Sequence, residues 1–201
     1  MLVLLLIGIV ACNPIIETTN QNETQGELSE NSTDISQRQI QGRNWINQFD
    51  KPVNFECPKN HYMSWIKSSH KNWYEDRQWD FGCKEQPFNY DTQKCKWTGW
   101  LNDWDKELLY TCNTVDGADY IAGMYSEHDN WTEDRRFKVK CCSGEGTCLT
   151  NCKFTDWIND YDGWMYWSSD GGWVMQGLKS VHSNRYEDRR WKIQTCKLTE
   201  C

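Results

Sequence analysis

An imidazole, an amide and two carboxylates fall within one short stretch: His70, Asn72, Glu75 and Asp76, beside Trp73. The set recurs as His128, Asn130, Glu133 and Asp134 beside Trp131, and again as His182, Asn184, Glu187 and Asp188. Fixed polar groups next to an aromatic face are what a sugar requires, so each copy is a candidate ligand site, and three copies would bind multivalently. The competing account makes these residues turns and caps of a repeated scaffold. Three equivalent histidines can also meet on an axis to hold zinc or copper. Turn residues usually sit at a rim, however, so neither a metal nor another cofactor is expected. Glu75-Asp76 and its copies fail as a hydrolase pair, because neighbours on a strand point to opposite faces and cannot flank one bond. With no Gly-rich phosphate loop, Ser-His-Asp order or nucleophilic cysteine motif, the chain does not read as an enzyme.

The elements that must position these groups are written three times. The first copy lies in SSHKNWYEDRQWDF (68–81), the second in SEHDNWTEDRRFKV (126–139) and the third in SVHSNRYEDRRWKI (180–193). A second phrase precedes each: WINQFD (45–50), WLNDWD (100–105) and WINDYD (157–162), with starts 55 and 57 residues apart. Between the two phrases runs an apolar segment: 62–67, 120–125 and 174–179. The closing segments alternate. Arg77, Trp79 and Phe81 share one face against Asp76, Gln78 and Asp80, and the other copies follow suit. Period two with one apolar face predicts a half-buried antiparallel strand. Ser-x-His-x-Asn reads as turn chemistry, as does the opening phrase, which a short strand near Glu107–Cys112 should follow. Arg77, Arg135 and Arg189 fall on the buried face, where a guanidinium needs a partner. The opening-phrase aspartates Asp50, Asp105 and Asp162 are the natural bidentate candidates. The expected fold is one all-β domain of three related units, a pseudo-threefold barrel or prism whose closure removes strand edges.

The chain opens MLVLLLIGIVAC, an apolar run of about ten residues that suits a secretory signal, with cleavage after Ala11. Residues 12–43 are polar and acidic, without aromatics, and read as a disordered arm or pro-segment with a cleavage point at Arg43. All thirteen Trp lie beyond it, so residues 44–201 are the expected folded domain. The whole chain carries −7, which excludes the basic face a nucleic-acid partner needs. No run is long enough for a transmembrane helix. Asn22, Asn31 and Asn130 open glycosylation sequons, and a glycan on Asn130 would block that face of unit two. Of eleven cysteines, ten remain if Cys12 is counted with the signal region, an even number that fits bridges made in an oxidising compartment. Cys57 and Cys112 each lie eight residues after an opening-phrase aromatic, and Cys83 and Cys141 each lie two after the last core residue of a closing strand. Equivalent positions predict Cys57–Cys83 and Cys112–Cys141. In unit three Ser169 stands where the opening cysteine should be, and Cys196 is displaced by one. The pairing of Cys95, Cys142, Cys148, Cys152, Cys196 and Cys201 stays open on spacing alone.

The D-R-[QR]-[WF] strand ends in phase with cysteines, the W-D and Y-D openings, the Cys141-Cys142 pair and the closing Cys196…Cys201 resemble the dermatopontin family over about residues 45–201. The resemblance implies Cys95–Cys142, Cys148–Cys201 and Cys152–Cys196. It also implies a secreted, non-enzymatic protein of the extracellular matrix or of cell adhesion. Its expected partners are glycans, glycosaminoglycans or matrix proteins. The alternative that the family offers is a haemagglutinin or a cytotoxin stored in a stinging cell or venom gland and acting on cell surfaces.

Overall fold

The computed structural model describes residues 45–88, 93–113 and 118–201. The expected signal (1–11), the arm (12–43), its sequons at Asn22 and Asn31 and the Arg43 cleavage point lie outside the described residues. Eleven strands follow in order: β1 (Val53–Glu56), β2 (His61–Lys71), β3 (Asp76–Glu85), β4 (Lys94–Trp97), β5 (Leu108–Thr111), β6 (Ala118–Asp129), β7 (Asp134–Gly144), β8 (Thr147–Phe154), β9 (Met165–Ser168), β10 (Trp173–Ser183) and β11 (Asp188–Glu200). Among the described residues there is no helix, and hence none long and apolar enough to cross a membrane.

Each unit contributes one long antiparallel hairpin, β2–β3, β6–β7 and β10–β11. These are the apolar and alternating segments of the repeat. The register is the same in all three, with His70 opposite Arg77, His128 opposite Arg135 and His182 opposite Arg189. Each hairpin also carries a bulge at the same place, between Met63 and Trp65, Ile121 and Gly123, and Met175 and Gly177. A bulge bends the strand and raises its twist, which lets each sheet curl around a common centre.

The short strands are exchanged between units. β1 of unit one pairs with β6 of unit two, β5 of unit two with β10 of unit three, and β9 of unit three with β2 of unit one. The units therefore interlock in a cycle. The sheets remain separate, in the orders β1-β6-β7-β4, β5-β10-β11-β8 and β3-β2-β9. Three sheets around an axis make a prism rather than one closed barrel. β2, β6 and β10 touch one another in all three combinations. On the axis Trp79, Phe137 and Trp191 pack edge to face at 4.8–5.8 Å, all buried. Such contacts add about 0.5–1.5 kcal/mol each beyond the area they bury.

The exchange is fixed at one repeated bond. Cys57 N–H donates to Ala122 O, Cys112 N–H to Gln176 O and Ser169 N–H to Ser64 O, at 2.7–2.9 Å. Ser169 thus occupies the position of the missing cysteine. The five bridges are Cys57–Cys83, Cys95–Cys142, Cys112–Cys141, Cys148–Cys201 and Cys152–Cys196. Cys196 is not a shifted copy of Cys141. It faces Val174 across the hairpin as Cys142 faces Tyr120, and both tie an edge strand (β8 and β4) to their sheet. One expectation is corrected. Ser68, Ser126, Ser180 and the three histidines belong to β2, β6 and β10, not to turns, and the serines are fully buried.

Candidate functional site

The alternation of the closing strands points Arg77, Arg135 and Arg189 inward, where each is 3% exposed. Each forks onto an aspartate of another unit. Arg77 Nε and Nη2 reach Asp188 at 2.6 Å each, Arg135 reaches Asp76 at 2.6 and 2.7 Å, and Arg189 reaches Asp134 at 2.6 and 2.7 Å. Each aspartate immediately precedes the arginine that opens the next pair, so the three pairs close into a ring. The expectation that Asp50, Asp105 and Asp162 are the arginine partners is therefore corrected. Those residues sit at left-handed φ of 60°, 59° and 59°. They join the ring through backbone N–H groups, which donate at 2.8 Å to Asp76, Asp134 and Asp188. Strict alternation places Asp76 and its copies on the outer face, yet all three are buried. A left-handed residue stands before each, and it turns the carboxylate inward toward the neighbouring unit.

That residue is Glu75, Glu133 or Glu187, at φ 43°, 44° and 43°. With the histidines these glutamates form a second layer. The His70 ring lies between Asp162 (Nδ1, 3.5 Å) and Glu75 (Nε2, 3.9 Å), His128 between Asp50 (3.6 Å) and Glu133 (3.8 Å), and His182 between Asp105 (3.3 Å) and Glu187 (3.7 Å). The imidazoles are buried, with 0–1% of the side chain exposed. Neither nitrogen of His70 or His182, nor Nε2 of His128, has a hydrogen-bond partner; His128 Nδ1 meets Asn130 Oδ1 at 3.2 Å.

All three glutamates line one cavity of about 20 Å³, walled by His70, His128 and the arginine ring and floored by Trp79 and Phe137. Burial holds the carboxyls of Glu133 and Glu187 above the ordinary range. The adjacent histidine opposes this, and neighbouring carboxylates, Glu75 among them, add to it. Two expectations change as a result. Glu75 and Asp76 share a cavity after all, because the left-handed residue breaks strand alternation. The turn glutamates gather at the axis instead of the rim, beside strand histidines. The polar sets are split: Asn72, Asn130 and Asn184 stay exposed on the turns, as do Trp73 (85%) and Trp131 (93%), while the histidines and aspartates are buried.

Three donor sets lie within 4.8 Å: Asp50 with Asp76 and His128, Asp162 with Asp188 and His70, and Asp105 with Asp134 and His182. In each, the inner aspartate already accepts a guanidinium fork and a backbone N–H, three of its roughly four lone-pair sites.

The family model described as Dermatopontin matches residues 12–115 and 47–201. The chain belongs to the dermatopontin family. It is 39% identical to a hemagglutinin/amebocyte aggregation factor of Limulus polyphemus over 78% of this chain and 89% of that one. It is 35% identical to a dermatopontin of Biomphalaria glabrata over 76% and 99%, and 35% identical to Millepora cytotoxin-1 of Millepora dichotoma over 86% and 75%. No solved structure matches the chain.

Two further features of this dermatopontin chain escaped the sequence reading. Asn47, Asn102 and Asn159 are buried and act as surrogate strand partners. Each Nδ2 donates to the carbonyl of Arg77, Arg135 or Arg189, and each Oδ1 accepts from the N–H of Trp79, Phe137 or Trp191, at 2.8–3.1 Å. The invariant Asn of the three opening phrases was the available signal. The second feature is on the outer face of the closing strands. Arg136 lies 4.4 Å from the Trp100 ring and 4.5 Å from Trp104, with Lys138 4.2 Å from Trp100. Arg190 lies 4.7 Å from Trp157 and Lys192 5.0 Å from it. Unit one places Gln78 and Asp80 at these positions, and Asp80 binds Lys67 at 2.7 Å.

Proposed function

We propose that this chain is a secreted, non-catalytic adhesion protein that holds anionic glycans on the outer faces of units two and three. The observation that carries this reading is the pairing of half-buried indoles with Arg136 and Lys138 on one face and Arg190 and Lys192 on the other. An indole offers a flat surface to a sugar's C–H face, and a guanidinium or ammonium held over it keeps N–H donors for a sulfate or carboxylate. Two such faces make one chain bivalent, and bivalency is what cross-linking of cells needs. The name of the Limulus relative, a haemagglutinin and aggregation factor, fits that reading. The test is red-cell clumping by the purified, oxidised chain, with heparin and a neutral polysaccharide as competitors. Clumping reversed by heparin alone supports the reading; clumping indifferent to heparin contradicts it.

A second reading, a cytotoxin, is favoured by Trp73 and Trp131, almost fully exposed on adjacent turns. Indoles standing into water on one rim suit the bilayer interface, and the Millepora relative is named a cytotoxin. Haemoglobin release in the same assay, abolished by W73S/W131S, would favour this reading over plain adhesion.

A further inference from the structure

We infer that unit three carries a pocket for one uncharged sugar ring, at the place where the repeat loses a disulfide. Ser169 corresponds to Cys57 and Cys112, because all three make the same backbone bond to a neighbouring unit. Thr195 lies two residues after Ile193, as Cys83 lies two after Phe81 and Cys141 two after Val139. Ser169 and Thr195 are therefore the third copy of the bridges Cys57–Cys83 and Cys112–Cys141, with two hydroxyls in place of two sulfurs. Both line a cavity of about 230 Å³, together with Lys153, Trp167, Asp170 and Trp173.

The second observation is what else unit three brings to this cavity. Trp167 pairs with Ile66 as Phe55 pairs with Met124 and Tyr110 with Leu178, so the largest of three equivalent rings stands here. Trp173 pairs with Lys197 where unit one has His61 and unit two has Asp119. An indole has thus replaced a polar side chain beside the lost bridge. Both indoles are half-buried, which leaves each a surface for the C–H side of a sugar. A void left by a missing disulfide calls for neither of these two tryptophans.

The polar groups and the size decide the class of ligand. Trp173 N–H donates to Asp170 O at 3.0 Å, with Gly172 at φ 78°. This tight turn fixes Asp170 through its backbone and leaves the carboxylate exposed at the cavity, where it can accept from two neighbouring sugar hydroxyls. Lys153 faces Thr195 across β8 and β11, and its Nζ lies 5.3 Å from the Trp173 ring. One positive and one negative group offset each other, so a sulfate or carboxylate gains nothing here that Asp170 does not oppose. The volume lies below the about 300–1,000 Å³ of drug-sized ligand sites, so one ring fits and the rest of a glycan leaves through the exposed side. The pocket is separate from the cationic outer faces and does not rest on the reading given for them.

The test is a titration of the purified, oxidised full chain with the methyl glycosides of glucose, galactose, mannose and N-acetylglucosamine, followed by NMR saturation transfer from the aromatic protons. At least one should saturate in the millimolar range with one sugar per chain. S169C/T195C restores the bridge that the other units carry and should weaken that sugar about tenfold or more, while heparin retention, which reads the outer faces, stays unchanged. Mass spectrometry of the unreduced variant checks the added bridge. Should its cysteines mispair, D170A serves instead: it keeps the backbone bond of the turn, and a loss of about tenfold is again expected. D160N, at an exposed aspartate outside the pocket, should change nothing. No saturable binding of any of the four sugars, unchanged binding in the bridged variant or in D170A, or binding of glucuronic acid alone overturns the pocket and leaves the cavity as space vacated by a lost bridge.

Discussion

The two faces of the closing strands β3, β7 and β11 were built under different rules. The inner face keeps its chemistry: Arg77, Arg135 and Arg189 with matching aspartate forks, above the aromatic rings of Trp79, Phe137 and Trp191. The outer face diverges, from Gln78 and Asp80 in unit one to Arg136 and Lys138, then Arg190 and Lys192. What repeats is what closes the cycle, since each inner residue must meet a partner from another unit. What does not repeat is free to specify a ligand.

The comparison breaks most severely on the inner side. Replacing Arg135 by Ala strands Asp76 as a buried, unpaired carboxylate and should cost about 3–5 kcal/mol in a chemical-denaturation curve. Glycan binding by the fraction that stays folded should not change. Asn102→Ala removes the strand surrogate and leaves the Phe137 N–H and Arg135 carbonyl unmatched, for a loss of about 1–3 kcal/mol by the same measurement. On the outer side, stability should barely move. R136A/K138A should abolish clumping while the chain still binds immobilised heparin through unit three, and R190A/K192A should do the converse. The smallest expected effect sharpens the comparison: Q78R/D80K, which also frees Lys67, should raise heparin retention modestly without loss of folding.

Much of the fold was legible because its signals were local. Period two gave the hairpin strands, and cysteines in phase with Phe81 and Val139 gave two bridges. Ser169 was placed from a missing cysteine. The arginine partners were illegible for a physical reason. They come from another unit, and Asp76 seemed to face outward because alternation holds only while φ stays negative; Glu75 at 43° reverses it. The same residue hid the axial cavity, since it lets His70, Glu75 and Asp76 point to one place. The strand exchange left no trace because β1, β5 and β9 are only four residues long, too short to carry a period.

The most direct measurement is the affinity of the quadruple variant R136A/K138A/R190A/K192A for a sulfated glycosaminoglycan, followed with its thermal midpoint. The outer-face account predicts that binding is lost while the midpoint stays where it was, because the inner ring and the five disulfides are untouched. Binding retained at full strength by a normally folded variant would contradict it, and would move the ligand site away from these strands.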